Sequence, residues 1–469
     1  MMTDGDIGAG QVRSSHPLGR AFAALRHHRV RSVGHLLTGT SATVCLSLLS
    51  IALAARALGP KDYGVLALIL TLGQACERLL SFQSWQPLIR YGATLDPQSQ
   101  RDDLRSLYKF GLMLDGMGSA GAWAVASLLS VAAHFVFGIG WAAVGTALIY
   151  MVSLLFNMNG TATAIFRLTG RFRIIARLQV ITALARLAAS ALAFVLGAGL
   201  PGFVIVWAAT QILGTLLNIL VGMRTLHREG TTRILRASLT GMSSRFPDLW
   251  RFTWGANFSL TIWASAQQLD TLIVGWLANP ASAGMFHIAK RVSRVVQQVG
   301  SQVEAVVYPD LSRMWAAGQR KSFLRLILQT ELVLASFGAA CFLGALLLGG
   351  WAIEMAAGAR FAAAGPLLTV QIFAVALTIS GAASRAALLA MGRQPAVLRT
   401  VLAAAATFYG LVAPLIYLLG AMGANMAHVL FGTVWLAGLT LSLRRGLREE
   451  RTVTAGAVLT RDAAPRPSG

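Results

Sequence analysis

The residues of this chain best able to do chemistry are charged side chains embedded in long apolar runs. The bases are Arg78, Arg186, Lys290, Arg291, Arg294 and Arg385, and the acids are Glu77, Asp115, Asp270, Glu304 and Glu331. An ionisable group at bilayer depth costs at least about 2.5–3.5 kcal/mol on insertion scales, so such groups point to a transport path or an ion relay. Lys290 and Arg294 are four residues apart and share a helix face, with Arg291 turned about 100° from Lys290. Three cations within five residues are hard to neutralise structurally, and guanidinium forks pair bidentately with phosphate oxygens. The cluster is the first candidate to hold a pyrophosphate, with Arg186 and Arg78 as further candidates. Glu77 and Asp270 are the candidates for binding and releasing H⁺ or Na⁺. For each carboxylate a structural ion pair is the competing reading. Arg385 reads as an anchor, Arg78 can pair with its neighbour Glu77, and Asp115, Glu304 and Glu331 read as interfacial partners.

These charges need a membrane around them. With 469 residues, 55% hydrophobic, 12% charged and a mean hydropathy of +0.63, the chain cannot hide its apolar surface in a water-soluble core. Twelve runs are long enough to cross about 30 Å of hydrocarbon. The first six are Gly34 to Leu58, Val65 to Trp85, Leu112 to Ala133, Trp141 to Ile165, Leu178 to Leu196 and Phe203 to Met223. The second six are Phe252 to Leu277, Gly284 to Val307, Leu326 to Leu348, Leu367 to Leu389, Val401 to Leu419 and Ala424 to Leu443.

A repeated turn divides them. Gly59-Pro60-Lys61-Asp62-Tyr63-Gly64, between the first two runs, is echoed 220 residues later by Asn279-Pro280-Ala281-Ser282-Ala283-Gly284. Six spans per copy put both copies into the membrane in the same sense, related by an axis along the membrane normal. The expected fold is an all-α polytopic integral membrane protein: twelve transmembrane helices in two six-helix lobes, a parallel pseudo-two-fold repeat. Its expected parts are a cytoplasmic tail over 1–33, an N-lobe over 34–224, an interlobe linker over 225–251, a C-lobe over 252–443 and a cytoplasmic tail over 444–469.

The net charge of +22 invites a nucleic-acid reading, but most of the 40 basic residues fall in the tails and the alternate loops on one side. That distribution places both termini in the cytoplasm, and no loop is long enough to fold a nucleic-acid-binding domain. No cleavable signal is expected ahead of the first run, and Pro17 to Arg31 suits an amphipathic helix on the inner leaflet as well as a disordered basic tail. The linker, with Leu235, Phe246, Leu249 and Trp250, is expected to lie along that leaflet. Cys45, Cys76 and Cys341 lie within spans and imply no disulfide. No nucleotide-binding loop surrounds any of the four lysines, so no ATP hydrolysis and no cofactor is expected. His287 and His428 read as hydrogen-bonded residues, without a partner at metal-ligand spacing.

The stretch Ala54 to Gly64 resembles the first external turn of bacterial polysaccharide flippases, in the multidrug/oligosaccharidyl-lipid/polysaccharide exporter superfamily. Gly170-Arg171-Phe172-Arg173 after the fourth span, Gln268 to Gly275 in the seventh and Met391-Gly392-Arg393 after the tenth agree in kind and place. In the second copy Ala283 stands where the first has Tyr63. The resemblance implies translocation of an undecaprenyl-diphosphate-linked oligosaccharide from the cytoplasmic to the periplasmic leaflet of the inner membrane. It also implies partners in a polysaccharide polymerase and a chain-length regulator, beside the membrane lipids. Physically, a glycan head with a pyrophosphate is too polar to cross hydrocarbon unaided, so it needs a wet, cationic cleft. Trp85, Trp254, Trp263, Asn257, Gln267 and Gln268 are candidates to touch sugar rings, although Trp at span ends also anchors helices at the interface. The alternatives are a cation-coupled drug exporter of the same superfamily, a peptidoglycan-precursor flippase, which typically has more spans, and an intramembrane polymerase or ligase. Six embedded bases against five acids favour an anionic cargo, and the short external loops argue against an enzyme.

Overall fold

A computed structural model describes the backbone over 17–96, 99–137, 140–254 and 269–462, and side chains within these from residue 42 to 450, apart from 136 and 137. Every described element is helical. The first half contains α1 (Pro17–Leu80), α2 (Trp85–Gly92), α3 (Arg101–Phe137), α4 (Trp141–Val152), α5 (Asn159–Leu168), α6 (Phe172–Val195) and α7 (Gly199–Arg228). After α8 (Met242–Arg245) come α9 (Leu269–Leu277), α10 (Pro280–Ala316), α11 (Arg320–Ala357), α12 (Ala364–Ser380), α13 (Ala382–Ala390), α14 (Gln394–Leu419) and α15 (Ala421–Asp462).

Nine helical stretches among the described residues are long and apolar enough to cross a membrane. One of them, Ala42–Gly92, has 51 residues, about 76 Å if straight and far too long for one crossing. It kinks at Gly59, whose φ of 72° favours glycine, and Pro60 starts the next helix in the preset conformation of a first helical residue. α10 is not among the nine because it carries Lys290, Arg291 and Arg294 along its length. Large apolar side chains such as Leu128, Val195, Leu347 and Tyr417 stay exposed on α3, α6, α11 and α14, as helices in contact with lipid tails require. α1 begins at Pro17 and continues unbroken into the first apolar run.

The two echoed turns meet. At the start of α10, Asn279 Oδ1 accepts from the Ser282 N–H at 2.8 Å, and Pro280 follows as a first helical residue. A side chain on Gly64 would collide with the Pro280 carbonyl oxygen, and one on Gly284 would sit 2.9 Å from that of Pro60. Around this crossing Ala54, Tyr63 and Leu66 share one core with Ile288, Ala289, Phe361 and Ala364. Arg56 donates to the carbonyls of Met355 and Ala356, and Arg360 donates to that of Arg56 at 3.2 Å. At the opposite end the cores are separate. Leu107 and Phe110 pack with Met242 and Phe246 in one, and Leu311 and Phe323 pack with Ala387 and Leu388 in the other. A bundle joined at one end and divided at the other encloses a cleft.

Further bonds recur in both halves. Gly170 and Gly392, at φ 68° and 73°, end α5 and α13 with a left-handed turn. The following arginines pair alike: Arg171 with Glu229 at 3.3 Å, Arg393 with Glu449 at 2.5 Å. The fourth and tenth runs are both broken, at Ser153–Met158 between α4 and α5 and at Gly381 between α12 and α13. Just past each break a hydroxyl reaches a carboxylate: Thr161 Oγ1 donates to Asp115 at 2.8 Å, and Ser384 donates to Glu331.

The linker docks on protein. Phe246 and Leu249 are buried, Lys109 donates to the Ala237 carbonyl at 2.7 Å, and Tyr91 donates to that of Pro247 at 2.9 Å. Leu235 remains 69% exposed, and Trp250 lies edge-on to Phe110 with a partly open face.

Candidate functional site

The cleft is built differently by the two halves. In the first half a cavity of about 400 Å³ opens between α1, the α4–α5 break, α6 and α7, and Glu77, Arg78 and Arg186 all line it. The broken helix brings Asn157 and Asn159 to its wall, since the tighter turn over Ser153–Phe156 interrupts the α-helical bonding and backbone so interrupted is tolerated at membrane depth only where it is buried in protein or lines polar space. Arg186 donates to Thr210 Oγ1 at 3.0 Å and lies over the Trp207 ring at 5.9 Å. Arg78 forms no hydrogen bond to Glu77, although both border the same space.

In the second half the described interior carries an ionic network. Asp270, fully buried on α9, takes the Lys290 ammonium, the His428 ring nitrogen at 2.9 Å and the Thr271 N–H at 2.7 Å. Lys290 is itself only 6% exposed. Two candidates from the sequence, the cation Lys290 and the carboxylate Asp270, are thus partners of each other. A carboxylate with both oxygens so engaged has little capacity left for a mobile ion.

Arg291 and Arg294, one and four residues beyond Lys290, stay out of that network. Arg291 Nε donates to His287 Nε2 at 3.2 Å, and His287 Nδ1 meets the Tyr63 hydroxyl at 2.8 Å. With Nε2 accepting, the neutral ring carries its proton on Nδ1 and donates it to the tyrosine oxygen. Arg294 makes no hydrogen bond or ion pair among the described residues. Arg291 lies within electrostatic reach of Arg78 and of the buried Tyr63 and Tyr150, Arg186 within reach of Arg291, and Arg294 within reach of Arg78. Cations from both halves therefore lie within electrostatic range of one another.

A model of the polysaccharide biosynthesis protein family matches residues 30–315, more than half of the chain. The chain belongs to that family. As a member of the polysaccharide biosynthesis family it is 24% identical over 305 residues to the inner membrane protein YghQ of Escherichia coli K12, covering 63% of this chain and 85% of YghQ. Its fold matches an inward-facing multidrug resistance MATE transporter of the MOP superfamily with a TM-score of 0.66 and 13% identity, over 87% of this chain and 96% of the other. It matches the lipid II flippase MurJ in an inward closed conformation with the same TM-score, identity and coverage of this chain, and 87% of MurJ. The protein is a multi-pass membrane member of this family, with the fold seen in the MATE transporter and in MurJ.

The remaining charges have local partners. Glu304 holds Arg385 through both oxygens at 2.7 and 2.8 Å, and Asp115 accepts from Ser84 at 2.5 Å and from the Thr161 N–H and hydroxyl at 2.8 Å each. Trp85 is covered by the Arg167 guanidinium at 4.4 Å, and Trp254 packs on Phe82. Asn257, Trp263, Gln267 and Gln268 lie outside the described residues. The sequence reading named the amides Asn257, Gln267 and Gln268 as candidates to touch sugar and read Tyr63 only as part of the turn, but passed over Tyr150, Asn157, Asn159, Gln211 and Asn218. The available signal for the last four was the density of amides in the fourth and sixth apolar runs.

Proposed function

We propose that this family member carries the head group of an undecaprenyl-diphosphate-linked oligosaccharide from the cytoplasmic to the periplasmic leaflet of the inner membrane, feeding synthesis of a surface polysaccharide (exopolysaccharide, capsule or O-antigen). The observation that carries this reading is the convergence of Arg78 and Arg186 from the first half with Arg291 and Arg294 from the second. Four guanidinium groups at membrane depth suit a diphosphate, and a drug cation would be repelled by them.

In this reading the chain has twelve spans in two six-helix lobes of the same sense, both termini are cytoplasmic, and it acts as a transporter rather than an enzyme. The cleft is open to the cytoplasm where the two cores part, and the head group enters sideways while its polyprenyl tail stays in lipid. The pyrophosphate draws Arg291 away from His287, which also holds Tyr63 at the closed end. Loading thereby loosens the bond between the halves, and the lobes rock to open outward. Glu77, which borders the cavity, is the carboxylate for H⁺ or Na⁺ coupling, because Asp270 is already paired. A polymerase and a chain-length regulator take the product onward.

Mass spectrometry of lipid extracts from a deletion strain tests this. A complete lipid-linked repeat unit should accumulate while surface polysaccharide falls, relieved by the intact gene but not by Arg291→Ala with Arg294→Ala. Normal lipid-linked glycans with heightened sensitivity to cationic drugs would instead establish the drug exporter.

A further inference from the structure

Most ligand cavities are lined chiefly by apolar groups with a few polar ones. The cavity of the first half has polar side chains at most of its lining positions, Leu178, Ala183 and Gly214 being the exceptions. Its volume of about 400 Å³ falls in the ordinary range of small-molecule sites, about 300–1,000 Å³. Amides dominate the wall. Asn218 donates to Asn159 Oδ1 at 3.0 Å, and Asn159 donates in turn to Asn157 Oδ1 at 2.5 Å and Thr215 Oγ1 at 3.2 Å. Gln211 accepts from the Tyr150 hydroxyl at 3.3 Å through Oε1, which leaves its NH₂ available. Gln179 has no partner among the described residues.

Hydrogen bonds between neutral amides contribute little to helix association inside a membrane bundle, so a cavity rich in them is not explained by packing. An amide presents a donor and an acceptor side by side, and a sugar hydroxyl is both as well. Glu77 adds an acceptor able to bridge two neighbouring hydroxyls. Arg78 and Arg186 on the same wall disfavour a cationic drug, and an apolar one would meet polar side chains at most of the lining positions.

We propose that this cavity is a sugar subsite: it takes a monosaccharide of the lipid-linked head group and sets which glycan the protein accepts. The inference rests on the flippase reading and assigns the two halves separate tasks. Arg291 and Arg294 hold the pyrophosphate that every such lipid shares, and the amide cavity reads the sugar that differs.

The test compares two probes on the full-length protein in lipid nanodiscs: undecaprenyl diphosphate without sugar, and the lipid-linked oligosaccharide extracted from a strain lacking this chain. Gln179→Ala removes no bond among the described residues and should leave the wall folded, and Asn218→Ala serves as the second variant. Both should weaken the glycan-bearing probe about tenfold and leave bare undecaprenyl diphosphate within twofold. Arg291→Ala with Arg294→Ala should weaken both probes alike. If the cavity variants leave the glycan-bearing probe unchanged, or weaken both probes equally, while the arginine variant still weakens both, the subsite is refuted and the flippase stands. If neither probe binds the wild-type protein, the flippase reading falls and the subsite with it.

Discussion

The two halves keep the same bonds at their ends and different chemistry in their middles. Each has a Pro-led turn closing on a glycine, an Arg–Glu pair after a left-handed glycine, and a carboxylate accepting a hydroxyl past a helix break. Yet the first half encloses an open cavity with an amide-rich wall, and the described interior of the second carries the network of Asp270, Lys290 and His428. Repeated bonds of this kind hold helix ends and turns in place, whereas the proposed function asks different things of the two interiors. The lesson is that an embedded charge marks function only when its partner is missing. Lys290 and Arg294 occupy one face of one helix, and the structure commits Lys290 to Asp270 while leaving Arg294 without a bond among the described residues.

The sharpest way to break this contrast is at the cations. Arg291→Ala with Arg294→Ala should abolish transport, at least about 100-fold, with little loss of stability, as read by glycan export and by thermal unfolding in detergent. Comparable losses from any pair of exposed arginines would remove the special status of this cluster. Next in size is the crossing of the turns. Gly64→Ala places a methyl group against the Pro280 carbonyl, so the halves cannot close, and export should fall at least tenfold. Gly392→Ala meets open space and should cost only the left-handed strain of about 1–2 kcal/mol.

The second half is probed by its ion pair. Lys290→Ala leaves Asp270 buried and uncompensated and should destabilise by about 3–5 kcal/mol, with Lys290→Ala plus Asp270→Ala recovering much of that. Equal loss in the single and double variants, measured by unfolding, would mean the pair is not the source of the stability. The smallest effects belong to the repeated pairs on the periphery. Arg171→Ala and Arg393→Ala should each cost no more than about 1 kcal/mol, because both pairs are partly exposed to solvent.

The helical fold was legible from the apolar runs and from the Gly59 and Asn279 turns, because bilayer thickness fixes span length and Pro fixes where a helix restarts. Less legible was the length of α10, which continues well past its apolar stretch to Ala316. The break at Ser153–Met158 was missed: no proline marks it, and its signal is the short polar stretch Asn157-Met158-Asn159-Gly160-Thr161 inside an otherwise apolar run. At the site, residue type identified Arg291, Arg294, Arg186, Arg78 and Glu77 as embedded charges, but the division of labour was hidden. The Asp270–Lys290 pair joins two helices across a turn, and the amide wall gathers residues from the α4–α5 break and α7 that are distant in the chain. Such proximity depends on packing, which periodicity does not encode.

The central claim, that cations from both halves move one anionic head group, is tested most directly by reconstitution. Purified protein is placed in vesicles loaded with the lipid-linked oligosaccharide, and the fraction of head groups reachable by an external glycosidase is followed in time. The account predicts that wild-type protein raises the reachable fraction from one leaflet's share toward completion, and that Arg291→Ala with Arg294→Ala leaves it at the protein-free level. Equal rates for the variant and the wild type, or no increase with either, would contradict it.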